Sequence, residues 1–237
     1  MLFFYIRHGD PIYDPDSLTP LGERQAEAVA KRLALYGIDK IYASTSTRAK
    51  LTAKPTCEIL KKELTELDFC NESHAWEQLT IDTPDGKRWL FQSKASRELF
   101  TQPELINMGF DWYKHAAFAK YDYKKGMDRI STELDKFFLS LGYEHIPQTG
   151  RYKVIEPNND RVVLFAHQGF GMAFLSCLLD IPYPMVCRHF DMTHTGMTVI
   201  EFADEGGYSM PKVLTLSNDS HIYREGLPTN YNNYIRF

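Results

Sequence analysis

Residues 3–14, FFYIRHGDPIYD, set an apolar run directly against a cation, an imidazole and a glycine. Phe3, Phe4, Tyr5 and Ile6 read as a short buried strand closed by Gly9 and Pro11. A charge at the carboxyl end of such a strand sits where open α/β sheets hold their ligands. Arg7 and His8 could equally mark no more than the strand's exit into solvent, and the tripeptide alone does not choose. A second segment, VVLFAHQG at residues 162–169, ends in the same fashion, with a histidine behind a strand and a glycine within two residues. In a parallel sheet the two strands can be neighbours, which brings His8 and His167 to one crevice. A lone histidine is more often a packing residue, but a matched pair shifts the reading towards function.

Between these strands the chain alternates. LTPLGERQAEAVAKRLALYG (18–37) reads as an amphipathic helix, with Thr19 as N-cap, Pro20 at its first position, Gly37 at its end, and Val29, Leu33 and Tyr36 on one face. IDKIYAS (38–44) reads as a strand. TRAKLTAKPTCEILKKEL (47–64) reads as a helix that Pro55 kinks or divides, and TELDFC (65–70) as a further strand. This order predicts a parallel α/β sheet. Residues from about Asp82 to about Tyr123 break it, with Trp89, Phe91, Phe100, Phe110, Trp112, Tyr113, Phe118, Tyr121 and Tyr123 crowded together. We expect an insertion near the ligand-binding edge, as a lid or, for most of these aromatics, as a satellite core. Residues 126–143 return to a helix with Met127, Ile130, Leu134, Phe137 and Leu141 along one side. After the strand from Val162 to Ala166, a break at residues 167–169 leads to a helix ending near Pro182. Two strands joined at Gly206-Gly207 then follow.

The 237 residues are 43% hydrophobic, 14% aromatic and 24% charged, with a net charge of -4. That suffices for a sizeable core and gives no basic footprint of a nucleic-acid binder. Cys57, Cys70, Cys177 and Cys187 form no C-x-x-C pair and read as reduced thiols of a cytoplasmic protein. No leader is expected from the short N-terminal apolar run, and the longest apolar stretch is interrupted by His167, Gln168 and two glycines, so no membrane span is expected either.

RHGD (7–10), LTPLGERQA (18–26), STSTRAKLTA (44–53), AHQGF (166–170) and NDSHI (218–222) occur in the order of the histidine phosphatase superfamily, also called phosphoglycerate mutase-like, which the chain resembles over most of its length. The segment from about Glu77 to Lys125 carries little of that signal. The resemblance implies a three-layer α/β/α sandwich with a mostly parallel sheet. It implies one domain over 1–237, with a helical, aromatic-rich insertion over the active site at about 82–125. It also implies a metal-independent phosphomonoesterase without cofactors, acting on a small-molecule phosphomonoester.

The same resemblance assigns His8 as the nucleophile that forms a phosphohistidine. Arg7 and Arg48 match the phosphate-gripping arginines, and His167 the second histidine, which donates to the phosphoryl group. The backbone N–H groups of Gln168 and Gly169, opening a helix, would add to an anion nest. Glu77 in SHAWEQL (73–79) is the best positional match for the general acid, with Glu72, Asp82 and Asp85 as rivals. Of the other histidines, His194 is expected to approach the site, and His221 reads as structural. No metal is implied, because the histidines and acids lack a compact ligand pattern. Two alternatives stand beside the phosphatase. A phosphoglycerate mutase is one, although TIDTPDGKRW (80–89) does not look like the mutase segment. A phospho-ligand-binding protein without turnover is the other. The substrate, the oligomeric state and the role of the tail EGLPTNYNNYIRF (225–237) are not legible.

Overall fold

Strand β1, Leu2–Arg7, is the axis of the fold: its alternate residues enter two different cores. Phe3 and Tyr5 pack with Leu164, Phe138 and Phe174 on one face, while Phe4 and Ile6 pack with Val163, Phe165, Val29, Leu33 and Ala53 on the other. A strand buried on both faces reads as a continuous apolar run, which is why residues 3–6 show no alternation. Each such side chain contributes about 1.5–3 kcal/mol by leaving water.

The computed structural model describes residues 1–229. The central six-stranded sheet adds β2 (Lys40–Ser44), β3 (Leu64–Leu67), β4 (Arg161–Ala166), β5 (Met197–Glu201) and β6 (Lys212–Asn218), in the order β6-β5-β1-β4-β2-β3. β1, β4, β2 and β3 run parallel, and β5 and β6 close one side antiparallel. Helices α1 (Pro20–Tyr36) and α2 (Thr47–Leu60) cover one face; α4 (Tyr123–Ser140) and α5 (Gln168–Leu179) cover the other, with the short helix α3 (Glu72–Gln78) beside them. The expected three-layer, mostly parallel sandwich is what forms.

α1 begins and ends as its sequence predicts: the Thr19 hydroxyl accepts the N–H of Gly22, and Gly37 takes the left-handed conformation that closes the last turn. Pro55 lies within α2 without dividing it. No break separates β4 from α5, since His167 is itself the N-cap residue. The two strands expected on either side of Gly206-Gly207 pair antiparallel as β5 and β6, but the connection between them is longer than a tight turn. Within it, Tyr208–Ser209 adds to the hairpin Tyr143–Ile146/Arg151–Val154, which the sequence reading passed over. His221 lies on the helical turn Ser220–Arg224. The four cysteines are free. No helix among the described residues is long and apolar enough to cross a membrane. Of the C-terminal tail, residues 230–237 lie outside the described residues.

The aromatic segment after Thr80 divides its labour. It holds the hairpin Thr80–Thr83/Gly86–Trp89 and the short helices Lys94–Leu99 and Pro103–Met108. Phe100, Trp112, Phe118 and Tyr123 are buried in the same core as Phe3 and Tyr5, so most of the segment is core rather than cover. Trp89 and Gln92 alone of this segment reach the cleft described below.

The passed-over hairpin is pinned by a buried ionic group. His145 is 2.8 Å from Asp135 on α4 and 3.1 Å from Asp180 at the end of α5, and it stacks on Tyr152 at 4.6 Å. Burial disfavours the imidazolium, but the two carboxylates outweigh it and push the pKa up to about 9. A raised folded-state pKa stabilises fully below the unfolded value of about 6.5 and is lost as pH rises through 9. Denaturant unfolding of the wild type and His145→Gln at pH 6 and pH 9 should therefore show a stability gap of about 3 kcal/mol that closes at the higher pH. A gap independent of pH would show that packing alone holds the hairpin.

Candidate active site

β1 and β4 are neighbours in register, with Arg7 opposite Ala166 and the N–H of His8 donating to the Ala166 carbonyl at 2.9 Å. The two histidines behind these strands consequently meet, with ring centroids 5.2 Å apart. His194 joins them from the loop before β5, its ring 5.7 Å from that of His8.

The backbone at His8 is held by a contact that only glycine permits. A Cβ on Gly9 would fall 2.6 Å from the Gly22 carbonyl oxygen, and one on Gly22 would fall 2.2 Å from that of Asp10. The first turn of α1 is thus pressed against the loop that follows β1. Around this contact, the Asp10 N–H donates to the Gln25 side chain at 2.8 Å. The Thr19 hydroxyl donates to the Asp10 carboxylate at 2.7 Å, and the Gly9 N–H to the Thr52 hydroxyl at 2.9 Å. The spacing L-T-x-x-G-x-x-Q is the imprint of this clamp: the cap, the close approach and the amide acceptor fall on one end of one helix.

His8 is buried, and its Nδ1 is 2.7 Å from the Gly9 carbonyl. A carbonyl only accepts, so Nδ1 carries the proton and Nε2 keeps its lone pair. Burial, then the neighbouring His167, Arg7 and Arg48, hold the His8 pKa well below its ordinary value. The imidazole is therefore neutral near pH 7. Arg7 is no surface ion pair: it is 6% exposed, its Nη1 donates to the Met192 carbonyl at 2.6 Å, and its Nε is buried without a partner.

Arg48, in the first turn of α2, reaches Asp16 at 2.8 Å and Glu72 at 3.0 Å, and its Nε too is buried without a partner. Its guanidinium also lies over the Tyr13 ring at 5.4 Å. Glu72 Oε1 accepts the Gly169 N–H at 3.0 Å at the start of α5. One carboxylate thereby links the beginnings of α2, α3 and α5.

This overturns the choice of Glu77. Glu72 and Glu77 stand five residues apart on α3, roughly 500° around a helix at about 100° per residue, so the two side chains diverge. Glu77 is exposed and lines a separate depression with Asp82 and Lys87, while Glu72 lines the cleft with His8. Asp85 does not line the cleft either.

Two further expectations need correction. The nest at Gln168 and Gly169 is already occupied by the Glu72 carboxylate, and the Gln168 side chain turns to Asp191. His167 is fully buried with both ring nitrogens engaged, Nε2 by Ser44 at 2.8 Å and Ser46 at 3.3 Å, and Nδ1 by Arg48 at 3.2 Å. Since a guanidinium only donates, Nδ1 accepts and the proton sits on Nε2. Burial, then Arg48 and Arg7, keep this ring neutral as well.

His8, Glu72 and His167 have donor atoms within 4.8 Å of one another, a trio that no sequence spacing suggested. Two guanidiniums beside it oppose a cation there and favour an anion instead. The site opens into a cleft of about 1010 Å³. Trp76, Trp89 and Gln92 also line it; the sequence reading placed Trp89 in the aromatic insertion and gave Trp76 and Gln92 no role.

The resemblance read from the motifs is borne out. Residues 4–107 match the family model of the histidine phosphatase superfamily (branch 1). No curated protein matches the chain. Among solved structures, a phosphoserine phosphatase from Entamoeba histolytica in complex with 3-phosphoglyceric acid is similar at 19% identity, with a TM-score of 0.59 over 93% of this chain and 98% of that one. A mycobacterial glucosyl-3-phosphoglycerate phosphatase is similar at 18% identity, with a TM-score of 0.58 over 91% and 98%. These likenesses establish the fold.

The clamp is open to a direct check. Gly22→Ala should gain about 1 kcal/mol of helix propensity. With the Asp10 backbone pressed against the new methyl, it should instead lose about 3 kcal/mol, and the His8 loop should shift. Thermal unfolding with the His8 imidazole followed by NMR distinguishes the two, and a stabilised variant with an unmoved His8 resonance would contradict the close approach.

Proposed function

We propose that the chain is a metal-independent phosphomonoesterase in which His8 is the nucleophile. The observation that carries this reading is a neutral, oriented imidazole whose Nε2 keeps its lone pair, with Arg7 and Arg48 at the same cleft and the Nε–H of each buried and unpartnered. Such a group attacks an electrophile, and the arginines match the phosphoryl oxygens in charge and in planar geometry.

In the first half-reaction, Nε2 donates its lone pair to phosphorus and the bond from phosphorus to the ester oxygen breaks. Glu72, rather than Glu77, supplies a proton to the departing oxygen. Arg7 and Arg48 take up the charge on the three remaining oxygens. Arg48 turns from Asp16 and Glu72 towards the phosphoryl group, and His167, whose Nδ1 accepts from its guanidinium, acts as a positioning residue for Arg48. In the second half-reaction water gives a proton to Glu72 and its oxygen attacks phosphorus. The bond from phosphorus to nitrogen breaks, and phosphate leaves with the imidazole restored.

A mutase reading is less well supported. Among the described residues lining the cleft, no cation beyond Arg7 and Arg48 is present to retain a second anionic group while phosphate is returned. A binding protein without turnover would need no acid, yet Glu72 sits at the site. The solved relatives are named for phosphoserine and glucosyl-3-phosphoglycerate, which supports a small phosphorylated metabolite as the substrate class.

His8→Ala should abolish phosphate release from phosphomonoesters and the acid-labile phosphoenzyme trapped by quenching. Glu72→Gln should lower kcat by about 10²–10⁴-fold, most for esters with poor leaving groups, while Glu77→Gln stays within about twofold of wild type. Release that persists undiminished in His8→Ala would remove the assignment, and equal losses in both glutamate variants would remove the role of Glu72.

A further inference from the structure

Trp76 is 37% exposed, with its ring at the cleft. Tryptophan is buried on average, so an exposed indole over a candidate active site calls for an occupant. Trp76 meets the half-buried Trp89 edge to face, with centroids 5.0 Å apart and planes at 81°, and the two form a corner. The corner is stiff. Trp89 lies so close to the first turn of α5 that a Cβ on Gly169 would fall 2.5 Å from its ring, and Phe91 stacks on it at 5.9 Å. A rigid aromatic corner binds a flat partner at small ordering cost.

The charges of the cleft narrow the partner further. Arg7 and Arg48 lie with His8, whereas Asp10, Asp16 and Glu72 add three carboxylates to the same cleft. The other polar groups near the corner, Asn71, Ser73 and Gln92, are neutral. Lys87 stands over the Trp76 ring at 5.9 Å but borders the neighbouring depression. A substrate with a second anionic group would place it against three carboxylates with both guanidiniums already on the phosphoryl group. An uncharged leaving group meets no such penalty.

We infer, resting on the phosphatase reading above, that the alcohol half of the substrate is an uncharged ring laid in the Trp76–Trp89 corner. Aromatic alcohols and sugars share this chemistry: both offer a flat face to indole, and the neutral amides and hydroxyls nearby suit the hydroxyls of a sugar. Binding energy gained there, away from the reacting atoms, can be spent on orienting the ester at His8.

The test separates this inference from the reading on which it rests. Affinities for glucose 6-phosphate, phenyl phosphate, glycerol 3-phosphate and 3-phosphoglycerate are measured by calorimetry on His8→Ala, which takes no part in turnover. kcat/KM for the same esters is measured on wild type, Trp76→Ala and Trp76→Phe. We expect at least one ring ester to bind and react better than glycerol 3-phosphate and 3-phosphoglycerate. Trp76→Ala should cut the ring-to-acyclic ratio about 10-fold, with Trp76→Phe restoring part of it. Glucose 6-phosphate and glycerol 3-phosphate are both alkyl esters, so their ratio is free of leaving-group reactivity, and the better of the two ring esters identifies sugar or arene. Preference for 3-phosphoglycerate, or equal losses for all esters in Trp76→Ala, would overturn the inference. Ring-selective binding without hydrolysis in wild type would uphold it and overturn the phosphatase reading instead.

Discussion

Everything at the candidate site hangs on one backbone contact, that of Gly9 with Gly22. A strand end is ordinarily a loose place, free to send its next residue in many directions. Here the first turn of α1 is driven into the chain at residues 9–10, with carbonyl oxygens where any side chain would stand. The bonds from Thr19, Gln25 and Thr52 then lock the arrangement from three sides. Its product is a fixed imidazole with a defined tautomer, at a cost in desolvation that the surrounding polar groups offset.

The sheet supplies the second constraint. Parallel pairing of β1 with β4 makes the ends of two sequence-distant strands adjacent, and His8 and His167 inherit that adjacency. Helices that start after parallel strands then gather at the same edge. Glu72 at the head of α3, Arg48 in the first turn of α2 and the Gly169 N–H in the first turn of α5 meet there as a single network. No one of them is near another in sequence, so the network is a property of the topology.

That division explains what could be read in advance. α1 was legible to its two caps because caps are local chemistry: a hydroxyl, a proline and a glycine at fixed offsets. The core strands were legible because β1 and β4 are apolar on both faces. Glu77 was misjudged because positional matching carries no helical phase, and the few residues between Glu72 and Glu77 turn the side chain away from the cleft. The hairpin at Tyr143–Val154 was missed because its reasons are distant: Asp135, Asp180 and the strand at Tyr208 all lie outside it. The occupied nest at Gly169 was illegible for the same cause, since a glutamate almost a hundred residues away fills it.

Arg48 rests between Asp16 and Glu72, each at hydrogen-bonding distance. The cleft thereby supplies its own counterions. An anion arriving from solution does not meet bare positive charge; it must exchange with two tethered carboxylates whose effective concentration is set by the fold. Weakly held monovalent ions lose that exchange. A dianion with three oxygens in a guanidinium's reach wins it and frees Asp16 and Glu72 from Arg48. Selectivity against abundant small anions and, on the proposed phosphatase reading, the freeing of Glu72 for proton transfer are thus two faces of one displacement.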